Sequence, residues 1–292
     1  MSIRRGETIA FPSIMKRQSL ALLLTALITA SAPVVPAADE VAFQSKLIGQ
    51  ALPYAVILPE GYHDAANRER RWPLVILLHG WGGNHRSFLT DEAGEREAAK
   101  LRWIIAMPEG GNSLWTDSAA EPRALFERYV VEEWLPAVEA RYRCSAHRVV
   151  AGFSSGGYGP LKLALRHPQK FAGAIAVGTE TRIGDFTEQE GVEFRAKDAY
   201  AWRHMNDVLG PSDSAHRRAN QLFRLAADRD VFGPRFTLIC GRAEPAQRLE
   251  GNRRLAKMLG ITLQETAARH LWEDYAAAFA KALKDCSPTT KP

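Results

Sequence analysis

Ser154 lies in Gly152-Phe153-Ser154-Ser155-Gly156-Gly157, directly after the apolar run Arg148-Val149-Val150-Ala151 and directly before a stretch with helical spacing. A Gly-x-Ser-x-Gly pattern at a strand-to-helix turn is the signature of a nucleophile elbow. The serine is held in a strained backbone conformation, which works only if the positions two before and two after carry almost no side chain. Its chemistry would be nucleophilic attack by a hydroxyl; the plainer alternative is a Gly- and Ser-rich turn.

A serine hydroxyl is a weak nucleophile at neutral pH, so it needs a base within hydrogen-bond reach and an acid that holds the base in one tautomer. After this kind of elbow the chain order is serine, acid, histidine. The histidines beyond Ser154 are His167, His204, His216 and His270. His167 ends the helix that begins at the elbow, ~15 Å along it at the helical rise, and reads as a C-terminal cap. His204 and His216 fall in a polar stretch and read as solvated. His270 follows the last predicted strand and precedes the final helix, where the base belongs. The acid should follow the penultimate strand, where Cys240-Gly241-Arg242-Ala243-Glu244-Pro245 offers Glu244. Asp228, Asp230 and Glu250 compete with it, and Glu244 could alternatively be a first-turn helix carboxylate. For a developing oxyanion, two backbone N–H donors are needed. Ser155 supplies one, and Trp81 in His79-Gly80-Trp81-Gly82-Gly83 the other, with His79 ordering that loop.

The elements that must position these groups alternate. Strands are predicted at 41–48, 54–58, 72–78, 103–107, 149–153, 171–177, 236–240 and 261–265. Helices are predicted at 86–100, 125–141, 155–167, 246–259 and 271–284. This is an α/β chain with a mostly parallel, twisted sheet of about eight strands and helices on both faces. The interval 179–235 carries no strand; helices are expected near 199–209 and 215–227, as a helical insertion between the sixth and seventh strands that covers the site.

With 292 residues, 46% of them hydrophobic, the chain can bury one large core. Lys16-Arg17, the apolar run Leu20 to Ala30 and the small-residue exit at Val35-Pro36-Ala37-Ala38 read as a secretory signal peptide over 1–38, with Met15 the more ordinary start and 39–292 the catalytic domain. The apolar run is too short to span a bilayer, which takes ~20 residues, so no stable membrane insertion is expected after its removal and the product is periplasmic or secreted. Taking away four cations and Glu7 lowers the formal charge from +5 to +2. No run of basic residues suited to phosphates survives, and nucleic acid is not an expected partner. Cys144, Cys240 and Cys286 lack metal-ligand spacing, so no zinc is indicated; Cys144 and Cys286 are the candidate disulfide, and Cys240 a buried thiol. Oligomeric state is not legible.

Several further segments carry a resemblance. Leu58-Pro59-Glu60-Gly61-Tyr62, Leu77-Leu78-His79-Gly80, the run Met107-Pro108-Glu109-Gly110-Gly111-Asn112-Ser113-Leu114-Trp115 and His270-Leu271-Trp272-Glu273-Asp274-Tyr275 stand in order with the elbow. Over roughly 44–284 the chain resembles the esterase D and feruloyl-esterase-like family of α/β-hydrolases, which includes S-formylglutathione hydrolases and mycolyltransferases. The resemblance implies an α/β-hydrolase fold, a carboxylesterase working through an acyl-enzyme, no cofactor, and a small-molecule or polysaccharide-linked ester as substrate. Acyl transfer to another acceptor, thioester cleavage and a silent binding module are the alternatives. Three departures stand out: the family's acid is usually aspartate where this chain has Glu244, a glycine usually precedes the histidine, and the aromatic of the Asn112-to-Trp115 loop is shifted by one. Trp81, Trp115 and Trp272 would suit a flat hydroxycinnamoyl group as pocket walls, or would be packing tryptophans.

Overall fold

The computed structural model describes residues 38–89, 92–186, 188–229 and 233–288. Residues 1–37 of the proposed signal segment and Asp230 lie outside them. Eight strands form one sheet: β1 Asp39–Gln44, β2 Ala51–Ile57, β3 Trp72–Leu78, β4 Ile104–Pro108, β5 Cys144–Phe153, β6 Gly173–Val177, β7 Arg235–Gly241 and β8 Gln264–Thr266. Their order is β1-β2-β4-β3-β5-β6-β7-β8. The pairs β1·β2 and β2·β4 are antiparallel, and every pair from β4·β3 to β7·β8 is parallel.

The central strands are continuous apolar runs because both faces are covered. Along β3, Leu74, Ile76 and Leu78 enter one core with Tyr129, Trp134 and Leu163, whereas Val75 and Leu77 enter another with Tyr275, Phe279 and Leu283. The two-residue period of the strand thus sends alternate side chains to opposite layers. Residues 126–141 and helix Ser155–Arg166 cover the first face; helices Glu92–Ala99 and Trp272–Asp285 cover the second.

Between β6 and β7 run the helices Glu188–Lys197, Ala199–Leu209, Ala215–Ala219 and Leu222–Ala227. The first is absent from the predicted elements because its sequence, EQEGVEFRAK, carries no amphipathic stripe. The helix expected over 215–227 is two short ones, broken at Asn220-Gln221. The helix expected from Arg86 begins at Glu92, since turn bonds at Ser87 and Leu89 occupy the earlier residues. The eighth strand sits at 264–266 rather than 261–265. All three cysteines are free and buried. Cys144 and Cys286 do not pair, because they lie in the two different cores. No helix among the described residues is long and apolar enough to cross a membrane.

Candidate active site

The C-terminal ends of parallel strands meet along one edge of a sheet, where an open α/β fold builds its sites. β5 ends at Phe153, and Ser154 takes φ 61°, ψ −125° before the helix Ser155–Arg166 begins. A non-glycine residue in that region is strained, and its neighbours explain why it persists. A Cβ at Gly152 would collide with the Gly156 carbonyl, and one at Gly156 with the carbonyls of Leu78 and His79. The Ser154 N–H donates to Val177 O at 2.9 Å, anchoring the elbow to β6.

Two loops bring the other groups over. After β7 a turn closes with Glu244 N–H donating to Gly241 O (3.2 Å), and after β8 the chain reaches His270. His270 Nε2 lies 2.9 Å from Ser154 Oγ, and His270 Nδ1 lies 2.7 Å from Glu244 Oε1. The Glu244 side chain is fully buried while the His270 side chain is 36% exposed, so the carboxylate is dry and the imidazole is open to solvent. Phe153 supports the imidazole with ring centroids 4.7 Å apart. Tyr275, from the final helix, donates to Glu244 Oε1 at 2.7 Å and accepts from Gly241 N–H at 2.8 Å. Arg248 Nη1 lies 2.6 Å from Glu244 Oε2 and 2.8 Å from His270 Nδ1. Burial pushes the Glu244 carboxyl up, but the hydrogen bonds from His270 and Tyr275 and the Arg248 charge outweigh it and hold the group below the usual carboxylate range.

The loop 79–83 presses against Ser154: a Cβ on Gly80 would stand 3.1 Å from Ser154 Cβ. His79 is buried and accepts the Gly110 N–H at Nε2 (3.1 Å), so Nδ1 carries the proton and donates to Gly80 O at 2.9 Å. It orders the loop, as expected of it. Gly82 N–H donates to Asn112 Oδ1 at 2.7 Å, joining this loop to the 110–117 segment. Trp81 follows Gly80 directly. Ser155 opens a helix whose first amides have no carbonyl partner within that helix.

Ser154 and Ser155 open onto a cavity of about 450 Å3, whose apolar wall includes Trp81, Leu114, Ile183, Phe186 and Met205 and whose charged rim includes Glu180, Arg182 and Arg248. Two aromatics expected there are elsewhere. Trp115 is 2% exposed, packs against Gly110 and Gly159 and donates from Nε1 to His79 O at 3.1 Å; the left-handed backbone at Leu114 (φ 55°) and Trp115 (φ 54°) turns the leucine to the cavity and the indole inward. Trp272 packs on Phe88, Phe153 and Phe279 and lines a separate hollow between the helices Glu92–Ala99 and Trp272–Asp285. His204 and His216 depart from expectation, whereas His167 caps its helix as expected, its N–H donating to Leu163 O at 2.8 Å. His204 is not solvated: Nε2 donates to Asn112 O (3.1 Å) and its ring packs edge-on against Trp81. His216 has a buried Nε2, and His167 pairs with Glu127 Oε1 at 2.9 Å instead of serving only as a cap.

Tyr275 and Arg248 escaped the sequence reading. Arg248 left a trace, since it stands four residues after Glu244 across a helix start, a spacing that brings side chains together. Lys162 was also missed. It is fully buried and donates to Trp115 O (2.9 Å) and Thr116 Oγ1 (2.6 Å) while pairing with Glu127 (3.0 Å), which ties the cavity loop to the elbow helix. Among the described residues, no group of three or more His, Cys, Asp or Glu is arranged to hold a metal ion.

The family model described as "Putative esterase" matches residues 45–286. An esterase of Mycobacterium tuberculosis is 38% identical over 141 residues, covering 45% of this chain and 30% of the relative. The chain therefore spans less than a third of that relative's length. An acetyl esterase of Caldicellulosiruptor saccharolyticus is 23% identical over 261 residues, 84% of this chain and 96% of its own. An S-formylglutathione hydrolase from Agrobacterium tumefaciens has the same fold, with a TM-score of 0.71 at 18% identity over 89% of this chain and 97% of that one. Elbow, sheet order and family match converge: this chain belongs to the esterase D and feruloyl-esterase-like family of α/β-hydrolases.

Proposed function

We propose that this chain is an exported carboxylesterase that works through a Ser154-His270-Glu244 triad and an acyl-enzyme. The observation that carries the reading is the unbroken hydrogen-bonded line from Ser154 Oγ through both imidazole nitrogens to a buried carboxylate, with contacts of 2.9 and 2.7 Å. As Ser154 Oγ bonds to the ester carbonyl carbon, its proton passes to His270 Nε2, and the imidazolium is stabilised by Glu244. The Trp81 and Ser155 N–H groups face the oxyanion. Collapse of the tetrahedral species breaks the C–O bond to the leaving alcohol, which takes the proton from Nε2; water then repeats the sequence on the acyl-enzyme. A cavity of about 450 Å3 with a largely apolar wall favours an acyl group larger than acetyl, a hydroxycinnamoyl group among them. Residues 16–38 support export by their composition.

Ser154→Ala should lower turnover of a short p-nitrophenyl ester by several orders of magnitude and abolish covalent labelling by a fluorophosphonate. Near wild-type turnover in that variant would remove Ser154 from the mechanism. Sequencing the N-terminus of protein recovered outside the cytoplasm tests export; an intact Met1 or Met15 on cytoplasmic protein alone would refute it.

A further inference from the structure

We propose that Arg248 is a positioning residue for the triad acid, a clamp made necessary by glutamate standing where the family usually has aspartate. The inference rests on the triad reading above. A glutamate carboxylate has one more rotatable bond than an aspartate carboxylate, and only one of its orientations serves His270. Two donors fix that orientation here: Tyr275 on Oε1 at 2.7 Å and Arg248 Nη1 on Oε2 at 2.6 Å. The Arg248 side chain is 18% exposed, its Nε is buried without a hydrogen-bond partner, and the nearest carboxylate to that nitrogen, Glu180 Oε2, is 3.9 Å away. The guanidinium is therefore held mainly through Nη1, at the acid. A charge-assisted hydrogen bond of this kind is about twice as strong as a neutral one.

The clamp has an electrostatic consequence. The same Nη1 lies 2.8 Å from His270 Nδ1. When Nε2 accepts the serine proton, Nδ1 already carries the hydrogen it donates to Glu244, so a guanidinium N–H cannot bond there and the contact is that of a positive charge beside the ring. The groups that face His270 are Ser154 from the elbow, Glu244 from the loop after β7 and Arg248 from helix Ala246–Met258. Behind these stand Glu180 from the loop after β6 and Tyr275 from the final helix. Arg248 is the one cation in direct contact with the ring among them.

The test compares Arg248→Gln and Arg248→Lys in the wild-type and Glu244→Asp backgrounds. Active-site concentration is taken from fluorophosphonate labelling and the fold from circular dichroism. In the wild-type background Arg248→Gln should lower kcat about tenfold with KM within about twofold, as expected for one charge-assisted hydrogen bond. Arg248→Lys should recover part of kcat. With Glu244→Asp, whose shorter carboxylate cannot reach Nη1 in this geometry, Arg248→Gln should cost no more than about twofold. Wild-type kcat in Arg248→Gln, or the same loss in both backgrounds, would each overturn the clamp. Absence of labelling in the wild-type enzyme would instead overturn the triad reading beneath it.

Discussion

Tyr275 and Glu244 meet through a 2.7 Å hydrogen bond on Oε1, the oxygen that also receives His270 Nδ1–H. The same hydroxyl accepts the Gly241 N–H, so one phenol links the end of β7 to the acid. Tyr275→Phe removes that hydroxyl and leaves the Gly241 N–H and Glu244 Oε1 without it inside a buried region, at a cost of about 1–3 kcal/mol. Thermal unfolding should fall by several degrees and kcat by about tenfold, because the carboxylate loses one of its two restraints. Unchanged melting and turnover would show that the phenol only fills space.

Glu244→Gln keeps the shape of the acid but not its charge, and a carboxamide can present its NH2 to the imidazole and select the wrong tautomer. By the precedent of Asp→Asn in a serine triad, kcat should drop by about 10^3 to 10^4-fold with the protein still folded. Measured kcat within an order of magnitude of wild type would move the acid's role to another carboxylate such as Glu250.

The cavity predicts how acyl length is read. Met205 and Leu114 both stand on its wall. Met205→Trp narrows it, and kcat/KM for p-nitrophenyl octanoate should fall at least about tenfold relative to p-nitrophenyl acetate, since longer chains lose their apolar contacts at about 0.8 kcal/mol per CH2. An equal effect on both esters would place the acyl chain elsewhere.

Beneath the site, Glu127 gathers Lys162, Arg166 and His167, each within 3.0 Å. Burial pushes its carboxyl up, but the Lys162 charge, the His167 hydrogen bond and the Arg166 charge prevail and bring it from 4.5 to about 2. A carboxyl depressed in the folded state stabilises the fold at pH above its ordinary value, and that stabilisation is lost as pH falls from about 4.5 towards about 2. The denaturant midpoint should therefore drop steeply between about pH 4.5 and about pH 2. In Lys162→Met/Glu127→Gln the slope over that window should flatten. A slope identical to wild type would exclude this cluster as the source of acid sensitivity.

Lys162→Met alone leaves Glu127 with Arg166 and His167 but without its most buried cation, and it frees the carbonyl of Trp115. Unfolding free energy should fall by about 3 kcal/mol, and discrimination among acyl chains should weaken because Leu114 depends on the same loop. Wild-type stability together with wild-type acyl preference would refute that link.

Local chemistry accounts for what was readable beforehand. The elbow is a steric demand within six residues, so Gly152, Ser154 and Gly156 announce it in one dimension. His270 and Glu244 were readable because each sits just past a strand, and parallel strand ends collect on one edge. The walls of the cavity were not. Whether Leu114 or Trp115 faces it depends on two successive left-handed residues, and Trp272 is captured by Phe88, Phe153 and Phe279 from distant parts of the chain.

What the amino-acid order alone determined is the sheet and the places of Ser154, Glu244 and His270 at its strand ends, since turn sterics and apolar periodicity act over a few residues at a time. Only the tertiary structure decided what surrounds that set. Tyr275 and Arg248 reach Glu244 from two different helices, and Lys162 meets Glu127, Trp115 O and Thr116 Oγ1 inside the core. The orientation of a carboxylate and the lining of a cavity are set by packing between segments far apart in the chain, which no local pattern encodes.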